Sequence, residues 1–328
     1  MYRLELIKSA DDFQIWNEFV LKNKGEKLVT ISHNPTLMNV LIETFGYKNG
    51  YYFIIRNENI VGVLPGVYFK SKYISLPHFT YGGIFGEIEL DQSVNIFKSL
   101  SDFDWEIRSF YDYSYYTNDN KITCLLELKK TEEEQWSSFK SKLRSQIKSG
   151  QKHPLEVFHG GIELLPDFYH LYTRNMFRLG SPPLPILFFK NIFKFFGLGE
   201  ALITLVRLNN KPVAAGFMLS YINFNEVCWA SSDIEFNKFN VNMVLYWEMI
   251  KVSISKGNGI FSFGRSSKNS STLKFKLQWG CNVEQIYMNN SNKKTLDVRN
   301  ISVLAKLWKL QTLKTSIYFG KYIAKFVY

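Results

Sequence analysis

Two cations that could bind an anion lie close together in the segment Phe261–Gly280, FSFGRSSKNSSTLKFKLQWG. A strand is expected over Ile260–Gly264, so that Arg265 leaves it at its carboxyl end, and the Ser/Asn-rich turn that follows is typical of a helix N-cap. Lys276 then lies inside the short helix. Because cations and unpaired backbone N–H groups meet where strand ends face helix starts, the segment predicts a site for an anion or a developing negative charge.

Other residues near this segment could take part in binding or proton transfer. Glu248 is the nearby carboxylate expected as a general base, and a buried ion pair is its alternative role. Arg265 suits a bidentate contact to phosphate or carboxylate, and a structural salt bridge is the alternative. Lys276 could equally be a solvated helix lysine. Residues expected to line a substrate pocket, or to fill the core where they are aromatic, are Tyr246, Phe275, Trp279, Gln278, Asn242, Ser231 and Ser232.

A basic helix face is expected before Gly150. Lys142, Arg144 and Lys148 lie on the side of the helix away from Leu143 and Ile147. This face is either solvated or binds phosphate on a lipid-linked or nucleotide-linked acceptor. The histidines show no metal-ligand spacing, and no Ser-His-Asp or Cys-His pattern is apparent, so neither a metal site nor a nucleophilic triad is expected.

The size and composition predict two folded domains. The chain has 328 residues, of which 46% are apolar and 16% aromatic. The N-terminus shows no secretion signal, so a cytoplasmic protein is expected. The longest uncharged run, Pro212–Asn225, is too short to span a bilayer as a helix. Three cysteines in apolar contexts are expected as buried free thiols: Cys124, Cys228 and Cys281.

The positive charge is concentrated at the C-terminus. The formal net charge is +11, and the residues from Ser291 onward carry eight basic side chains against Asp297 alone. Lysines alternate with apolar residues over Ile301–Tyr328, as in a basic amphipathic segment. Such a tail suits an anionic membrane surface or a nucleic acid other than DNA, and a helix that packs back on the core is the alternative. A protein peripheral to the inner face of the plasma membrane is therefore one expectation.

The two halves of the chain show the same order of elements. Each begins with helices and continues with a meander of three strands, a helix and further strands. Turn signals at Asn57–Asn59 and Asn209–Pro212 predict a hairpin in each half. The order predicts a duplicated α/β unit, with domains at 1–130 and 131–290 and a basic amphipathic tail at 291–328.

Short stretches spread over nearly the whole chain show a recognisable pattern. They are GVLPGVYFKS (Gly62–Ser71), SLPHFTYGGI (Ser75–Ile84), KLRSQIK (Lys142–Lys148), SPPLP (Ser181–Pro185), WASS (Trp229–Ser232), VNMVLYWEMI (Val241–Ile250) and FSFGRSS…KFKLQWG (Phe261–Gly280). In this order they resemble the Fem-type aminoacyltransferases, a two-domain branch of the GNAT acyltransferase superfamily. The closer likeness is to FemAB-like proteins of bacterial exopolysaccharide and exosortase systems.

The resemblance implies an α/β fold of two tandem GNAT-like domains and an acyltransferase activity. An acceptor amine or hydroxyl would attack an activated acyl ester or thioester, and Lys276 in the Phe-Lys motif would stabilise the oxyanion. Arg265 would anchor the substrate, and Tyr81 would contribute to binding. The exopolysaccharide-associated group has Phe-Asp-Phe-Gly-Arg-Ser where this chain has Ser262 in place of the acid.

The resemblance also bears on the substrates. CoA-dependent members hold pyrophosphate on a glycine-containing loop, whereas this chain reads EFNKFNVNMVLYW there. The expected donor is aminoacyl-tRNA or acyl-CoA, and the missing glycines favour aminoacyl-tRNA. No tightly bound cofactor is expected, and the expected acceptor is a lipid- or nucleotide-linked glycan or peptidoglycan-type precursor. The alternatives are a CoA-dependent N-acyltransferase of a sugar nucleotide and a non-catalytic, membrane-peripheral assembly protein of a polysaccharide system.

Overall fold

The computed structural model describes residues 2–25, 27–100, 104–113, 116–292 and 302–327, with the backbone alone for 302–304. The fold is α/β, with helices on both sides of large mixed sheets. The elements of the first half are β1 (Arg3–Leu6), α1 (Ala10–Lys22), α2 (Leu37–Phe45), β2 (Lys48–Asn49), β3 (Tyr52–Arg56), β4 (Asn59–Leu64), β5 (Val67–Phe69), β6 (Lys72–Ile74), β7 (Phe85–Gly86), α3 (Leu90–Lys98), β8 (Asp104–Ser109) and β9 (Tyr116–Glu127).

The second half contains the longest helices of the described residues. Its elements are α4 (Glu132–Ser138), α5 (Ser141–Gln151), β10 (Leu155–Gly160), α6 (Leu165–Leu179), α7 (Ile186–Phe195), β11 (Glu200–Leu208), β12 (Lys211–Tyr221), β13 (Phe224–Ser232), α8 (Val241–Ser255), β14 (Ile260–Ser267), α9 (Ser271–Leu277) and β15 (Asn282–Asn290). Two helices of the tail follow, α10 (Ser302–Trp308) and α11 (Leu313–Ile323).

Local sequence signals account for several of these boundaries. The Ser9 side chain accepts from the backbone of Asp12, whose own side chain caps the backbone N–H of Ser9, so α1 begins with a capping box. Both hairpin turns are confirmed. Asn57 and Glu58 have positive φ, as do the residues at 209 and 210, which fits the twist of two-residue turns.

Some element boundaries differ from the sequence expectations. The apolar stretch Ile60–Phe69, which by itself predicts one strand, forms two strands, because Pro65 cannot donate to a ladder and Tyr73 packs directly on Gly66. The helix expected before Gly150 is also two helices. Strands β10 and β15 were not anticipated, since their apolar residues do not alternate cleanly. Strand β14 runs on to Ser267, so Arg265 lies within a strand rather than at its end.

The two halves share one sheet. An eleven-stranded sheet has the order β10-β11-β12-β13-β14-β9-β15-β8-β6-β5-β2, and a four-stranded sheet has the order β1-β3-β4-β7. Strand β9 of the first half lies between β14 and β15 of the second half, and β15 pairs with β8. The boundary predicted near residue 130 therefore follows a strand that is built into the second half.

Helices cover both faces of the second-half sheet. Phe217 belongs to the apolar cluster shared with α6 and α7, and its neighbour Met218 belongs to the cluster shared with α5 and α8. Because successive strand residues point to opposite faces, α6 and α7 lie on one face and α5 and α8 on the other.

A buried arginine holds the loop of residues 75–84 against β8. Arg108 has no exposed side-chain surface; its guanidinium donates to Glu106 at 2.9 Å and to the carbonyl of Phe79 at 3.3 Å. Its backbone N–H donates to the Ser75 hydroxyl at 2.8 Å, and its carbonyl accepts from Gly82 at 2.8 Å. The loop is therefore fixed at both ends and in its middle.

Replacing Arg108 by Met tests the importance of this buried pair. Removing one partner leaves the Glu106 carboxylate buried with Lys72 alone, so we expect the free energy of unfolding to fall by about 3–5 kcal/mol. Urea denaturation would measure the change. The double variant Arg108→Met/Glu106→Gln should recover part of the loss, and a single variant within about 1 kcal/mol of the wild type would contradict this view of the loop.

Candidate active site

The site lies where two neighbouring strands separate. Strands β13 and β14 pair in parallel through three residue pairs, the last of which is Glu226 with Ser262. Gly264 then adopts φ +67°, and the register of β14 against β9 shifts between residues 262 and 265. A side chain at 264 would meet the carbonyl oxygen of Val227 at 3.0 Å. Glycine therefore permits the bulge that turns β14 away from β13.

A pocket of about 410 Å³ occupies the gap between the two strands. Its walls come from the loop of residues 75–84, α6, β13, α8, β14, α9 and the end of the tail. The residues that bear on its chemistry are Thr80, Tyr172, Ser231, Tyr246, Arg265 and Lys276. The site is thus assembled from distant parts of the chain, including the first half.

Lys276 is the buried cation of this pocket. Its ammonium donates to the carbonyl oxygens of Gly264 at 2.8 Å and Arg265 at 3.1 Å, and only 4% of the residue is exposed. Burial lowers the pKa of Lys276 to about 8, against the opposing effect of nearby thiols and Glu226. The group is therefore largely charged at neutral pH, and two of its three N–H donors bind the bulge.

Glu226 is the buried acid of the site, and sequence reasoning missed it. The residue has no exposed surface; Thr80 donates its hydroxyl to Oε1, while Oε2 has no hydrogen-bond partner among the described residues. Burial raises the pKa of Glu226 to about 7, although Thr80, Lys276 and Arg265 act to lower it. A carboxyl group that titrates near neutrality can accept a proton. An acid directly before the apolar residues Val227–Ala230 of a strand was the signal that could have identified it.

A chain of hydroxyl groups also contacts the bulge. The Tyr81 hydroxyl lies 2.7 Å from the hydroxyls of both Thr123 and Ser262. The Ser262 hydroxyl accepts the N–H of Gly264 at 3.1 Å. Tyr81 and Ser262 therefore hold the backbone beneath the pocket and do not line it.

The structure brings part of the predicted set together. Arg265, Lys276, Tyr246 and Ser231 line one pocket. Phe275 and Trp279 pack on Tyr246, with ring centroids 5.0 and 6.1 Å away, and Trp279 is completely buried as a core residue.

Other predicted residues lie elsewhere. Asn242 donates to the Ser232 hydroxyl at 3.0 Å beside this pocket, and the Gln278 side chain reaches back toward its own helix. Glu248, expected as a base, instead pairs with Lys251 at 2.7 Å and lies 4.0 Å from His159. Lys142 and Arg144 lie on α5, which packs on α8, and neither lines the pocket.

The N-terminus of α8 is closed by its own preceding segment. A 3-10 turn over Ile234–Phe239 leads to Asn240, whose φ is +54°. The carbonyl oxygens of Phe239 and Asn240 lie 3.3 and 3.1 Å from the Cβ position of Gly150, so α5 approaches closely here. This arrangement lacks the glycine loop that lets backbone N–H groups cradle a pyrophosphate.

A second, basic depression adjoins the pocket. It has a volume of about 320 Å³, shares Asn175 with the first pocket and is lined by Arg174 and Arg178. Both arginines are exposed and lie one turn apart on α6, and Arg178 donates to the Asn175 side chain at 2.7 Å. With Arg265 in the first pocket, three arginines line two pockets that share Asn175, and Asp233 also lines the second pocket. Guanidinium groups suit an anionic substrate.

Comparison with known proteins identifies the domain that carries the pocket. A family model described as acetyltransferase (GNAT) domain matches residues 137–276, from the end of α4 to Lys276. The second half of the chain is therefore similar to GNAT acetyltransferase domains over these residues. No curated protein sequence matches the chain.

Solved structures of similar fold cover almost the whole chain. FemX is 14% identical, with a TM-score of 0.63 over 87% of this chain and 96% of its own. A tandem GNAT protein from the clavulanic acid biosynthesis pathway is 6% identical, with a TM-score of 0.58 over 90% and 100%. The C-terminal domain of a protein named as a lysylphosphatidylglycerol synthetase from Agrobacterium fabrum is 10% identical, with a TM-score of 0.56 over 91% and 96%. The predicted fold class of tandem GNAT-like units is confirmed.

Glu226→Gln tests the environment of the buried acid through protein stability. Because the folded-state pKa is raised from 4.5 to about 7, the folded protein binds this proton more tightly than the unfolded chain does, and stability falls as pH rises through that window. The Gln variant has no proton to lose at this position, so its stability does not fall in the same way. We expect its stability relative to the wild type to increase by about 3 kcal/mol between pH 4.5 and about pH 8, measured by urea denaturation.

The exposed Glu235 provides a matched control for this measurement. Glu235→Gln should show little change relative to the wild type across the same pH range. If the stabilities of Glu226→Gln and Glu235→Gln change with pH in the same way, the surroundings of Glu226 do not disfavour its charged form.

Proposed function

We propose that this pocket transfers an aminoacyl group from an activated ester to an amine on an anionic precursor of the cell envelope. The observation that supports the proposal is a buried cation and a buried acid that both lie next to Gly264 of one backbone bulge. Lys276 binds the bulge at Gly264 and faces the pocket, and Glu226 lies beneath Thr80 with one free carboxylate oxygen. Acyl transfer requires such an oxyanion donor and such a proton acceptor.

The reaction balances with the groups present. The acceptor nitrogen attacks the carbonyl carbon of the ester, a C–N bond forms, and the carbonyl oxygen becomes an oxyanion that accepts an N–H of Lys276. The proton lost by the nitrogen passes through the Thr80 hydroxyl to Glu226. When the C–O bond of the ester breaks, this proton is returned to the leaving oxygen. One well-placed oxyanion donor contributes about 3–4 kcal/mol to such a step.

Glu226 could supply the carboxylate that is absent at position 262, where this chain has serine. The family that this chain resembles has an acid at that position, and Ser262 instead pairs in register with Glu226 on the neighbouring strand. A carboxylate is therefore present at the same level of the sheet. This supports an enzyme rather than a non-catalytic assembly protein.

The arginines of the two pockets support an anionic acceptor. Arg265, Arg174 and Arg178 line these pockets, and guanidinium groups suit phosphate oxygens. A lipid- or nucleotide-linked glycan precursor carries such phosphates. The neighbour named for lysylphosphatidylglycerol synthesis is named for an aminoacyl group on an anionic lipid, which favours the same pairing of donor and acceptor.

The start of α8 favours a donor other than acyl-CoA. The turn over Ile234–Phe239 and the close approach of α5 leave no glycine loop to receive a pyrophosphate. Aminoacyl-tRNA supplies the same activated carbonyl as an ester of ribose and needs no such loop.

Replacing Lys276 by Met tests its role as the oxyanion donor. We expect transfer of radiolabelled amino acids, from a charged tRNA pool to polyprenyl-diphosphate-linked glycan precursors in detergent, to slow about 100-fold in initial rate. The control is Lys274→Met, because Lys274 is exposed on the opposite side of α9 and should retain the wild-type rate. Equal rates for a folded Lys276→Met variant and the control would contradict the assignment.

The pH dependence of the same assay tests the acid and the cation together. Transfer should decline below about pH 7 as Glu226 gains a proton, and above about pH 8 as Lys276 loses one. Glu226→Gln should be slower and should lack the acidic decline. A variant that is slower but keeps the wild-type profile would mean that Glu226 only supports the fold.

Titration with acetyl-CoA tests the donor class. Isothermal calorimetry should show no saturable binding to the wild-type protein, because the α8 N-terminus offers no phosphate cradle. Saturable binding together with acetyl transfer to a UDP-linked amino sugar would instead favour a CoA-dependent N-acyltransferase.

A further inference from the structure

The last helix of the tail has two different faces. Its inner face is formed by small residues, Ser316, Gly320 and Ala324, which are buried at four-residue spacing. Helix α11 packs on α6, and the Cβ position of Gly320 lies 2.8 Å from Pro183 Cδ. The small side chains allow this close approach, so the inner face is satisfied within the protein.

The outer face carries aromatic rings and lysines. Tyr318 is 54% and Tyr322 is 53% exposed, and the two ring centroids lie 5.7 Å apart. The Lys321 ammonium lies 4.4 and 4.6 Å from their ring centroids. Lys314 lies on the same side of the helix, by the 100° advance per residue. Lys325 follows in the 3-10 turn Ala324–Phe326. An exposed face of this kind is typical of helices that lie in a membrane interface.

The neighbouring corner adds exposed aliphatic surface. Leu307 and Leu310 are 56% and 81% exposed, and Trp308 donates to the Ser316 hydroxyl at 2.9 Å, which joins α10 to α11. Residues 302–327 contain five lysines and neither Asp nor Glu. No helix in the described ranges is both long and apolar enough to cross a bilayer.

The tail that carries this surface also forms part of the pocket wall. Ala324 and Val327, at the end of the tail, line the pocket itself. The Lys325 carbonyl accepts from the Tyr47 hydroxyl at 3.0 Å, which attaches the tail to the first half of the chain as well. The tail is therefore a fixed part of the pocket wall, and its outer face has a defined orientation relative to the pocket.

We propose that the outer face of α11 and the α10–α11 corner dock the protein on a bilayer that contains anionic lipids. The lysines match the negative surface, and Tyr318 and Tyr322 match the interfacial layer. Leu307 and Leu310 favour a bilayer over RNA, because aliphatic side chains have no ring to stack on bases and gain from apolar burial. The contact would place the pocket mouth at the membrane surface, where a lipid-linked acceptor is found; that consequence rests on the proposed function.

Cosedimentation with vesicles tests the docking surface. Wild-type protein should bind vesicles of phosphatidylglycerol and phosphatidylcholine and should bind pure phosphatidylcholine at least ten-fold more weakly, with the difference reduced at high salt. Lys321→Glu/Lys325→Glu and Tyr318→Ser/Tyr322→Ser should each weaken binding to the anionic vesicles about ten-fold or more. Point variants are used because a deletion of the tail would also remove part of the pocket wall.

The matched control is Lys130→Glu/Lys140→Glu, which reverses the same number of charges at exposed sites flanking α4. It should bind anionic vesicles as the wild type does, and thermal melts should show that all variants are folded. Equal loss in the control and tail variants, or no loss in either tail variant, would overturn the proposal. Binding to bulk tRNA that depends on the tail lysines, without vesicle binding, would also overturn it and would identify an RNA surface.

Vesicle binding does not require catalysis, so the docking proposal and the proposed transfer reaction can be tested independently of each other. A Lys276→Met variant that binds vesicles normally but transfers no amino acid leaves the docking surface intact. A tail variant that no longer binds vesicles but still transfers to a detergent-solubilised acceptor supports docking as a separate property. If the tail variants bind normally while wild-type transfer is confirmed, only the docking proposal is wrong.

Discussion

The contact between the Lys276 ammonium and two backbone carbonyls is the interaction on which the site depends. Where β14 leaves β13 after Gly264, the carbonyls of residues 264 and 265 point away from the parallel ladder, and buried backbone groups need partners. Lys276 supplies both hydrogen bonds, which offsets part of the cost of its own burial. The same ammonium therefore stabilises the separation of the strands and places a cation in the gap that the separation creates.

Both halves of the chain are needed to complete that gap. Thr80 comes from a loop of the first half, and Arg108 holds that loop through Ser75 and Phe79. Strand β9, also from the first half, lies beside β14 and provides Thr123 to the hydroxyl chain under the bulge. Two units that share a sheet can thus place a buried carboxyl group of one unit under a hydroxyl of the other, an arrangement that an isolated unit could not make.

The tail resolves an alternative that its sequence left open. Basic amphipathic helices bind membranes or pack on a core, and α11 packs on the core through one face and leaves its other face exposed. Its inner stripe of small residues packs on α6 beside Pro183, and its outer face presents Tyr318, Tyr322 and the lysines. Because Ala324 lines the pocket, the position of the tail is coupled to the site.

The sequence alone determined the fold class, the order of most elements and the segment that carries Arg265 and Lys276. These depend on local signals such as apolar period, turn residues and helix caps, which act within a few residues. Only the tertiary structure decided which acid lies beside Thr80 and Gly264, because the position of Glu226 is set by the pairing of β13 with β14 and by a hydroxyl from residue 80, far away in the chain. Glu248, which the sequence suggested as the base, instead forms an ion pair with Lys251, three residues further along the same helix. Burial and charge pairing depend on contacts across the sheet between residues that are far apart in the chain. Such contacts leave no periodic pattern in the sequence.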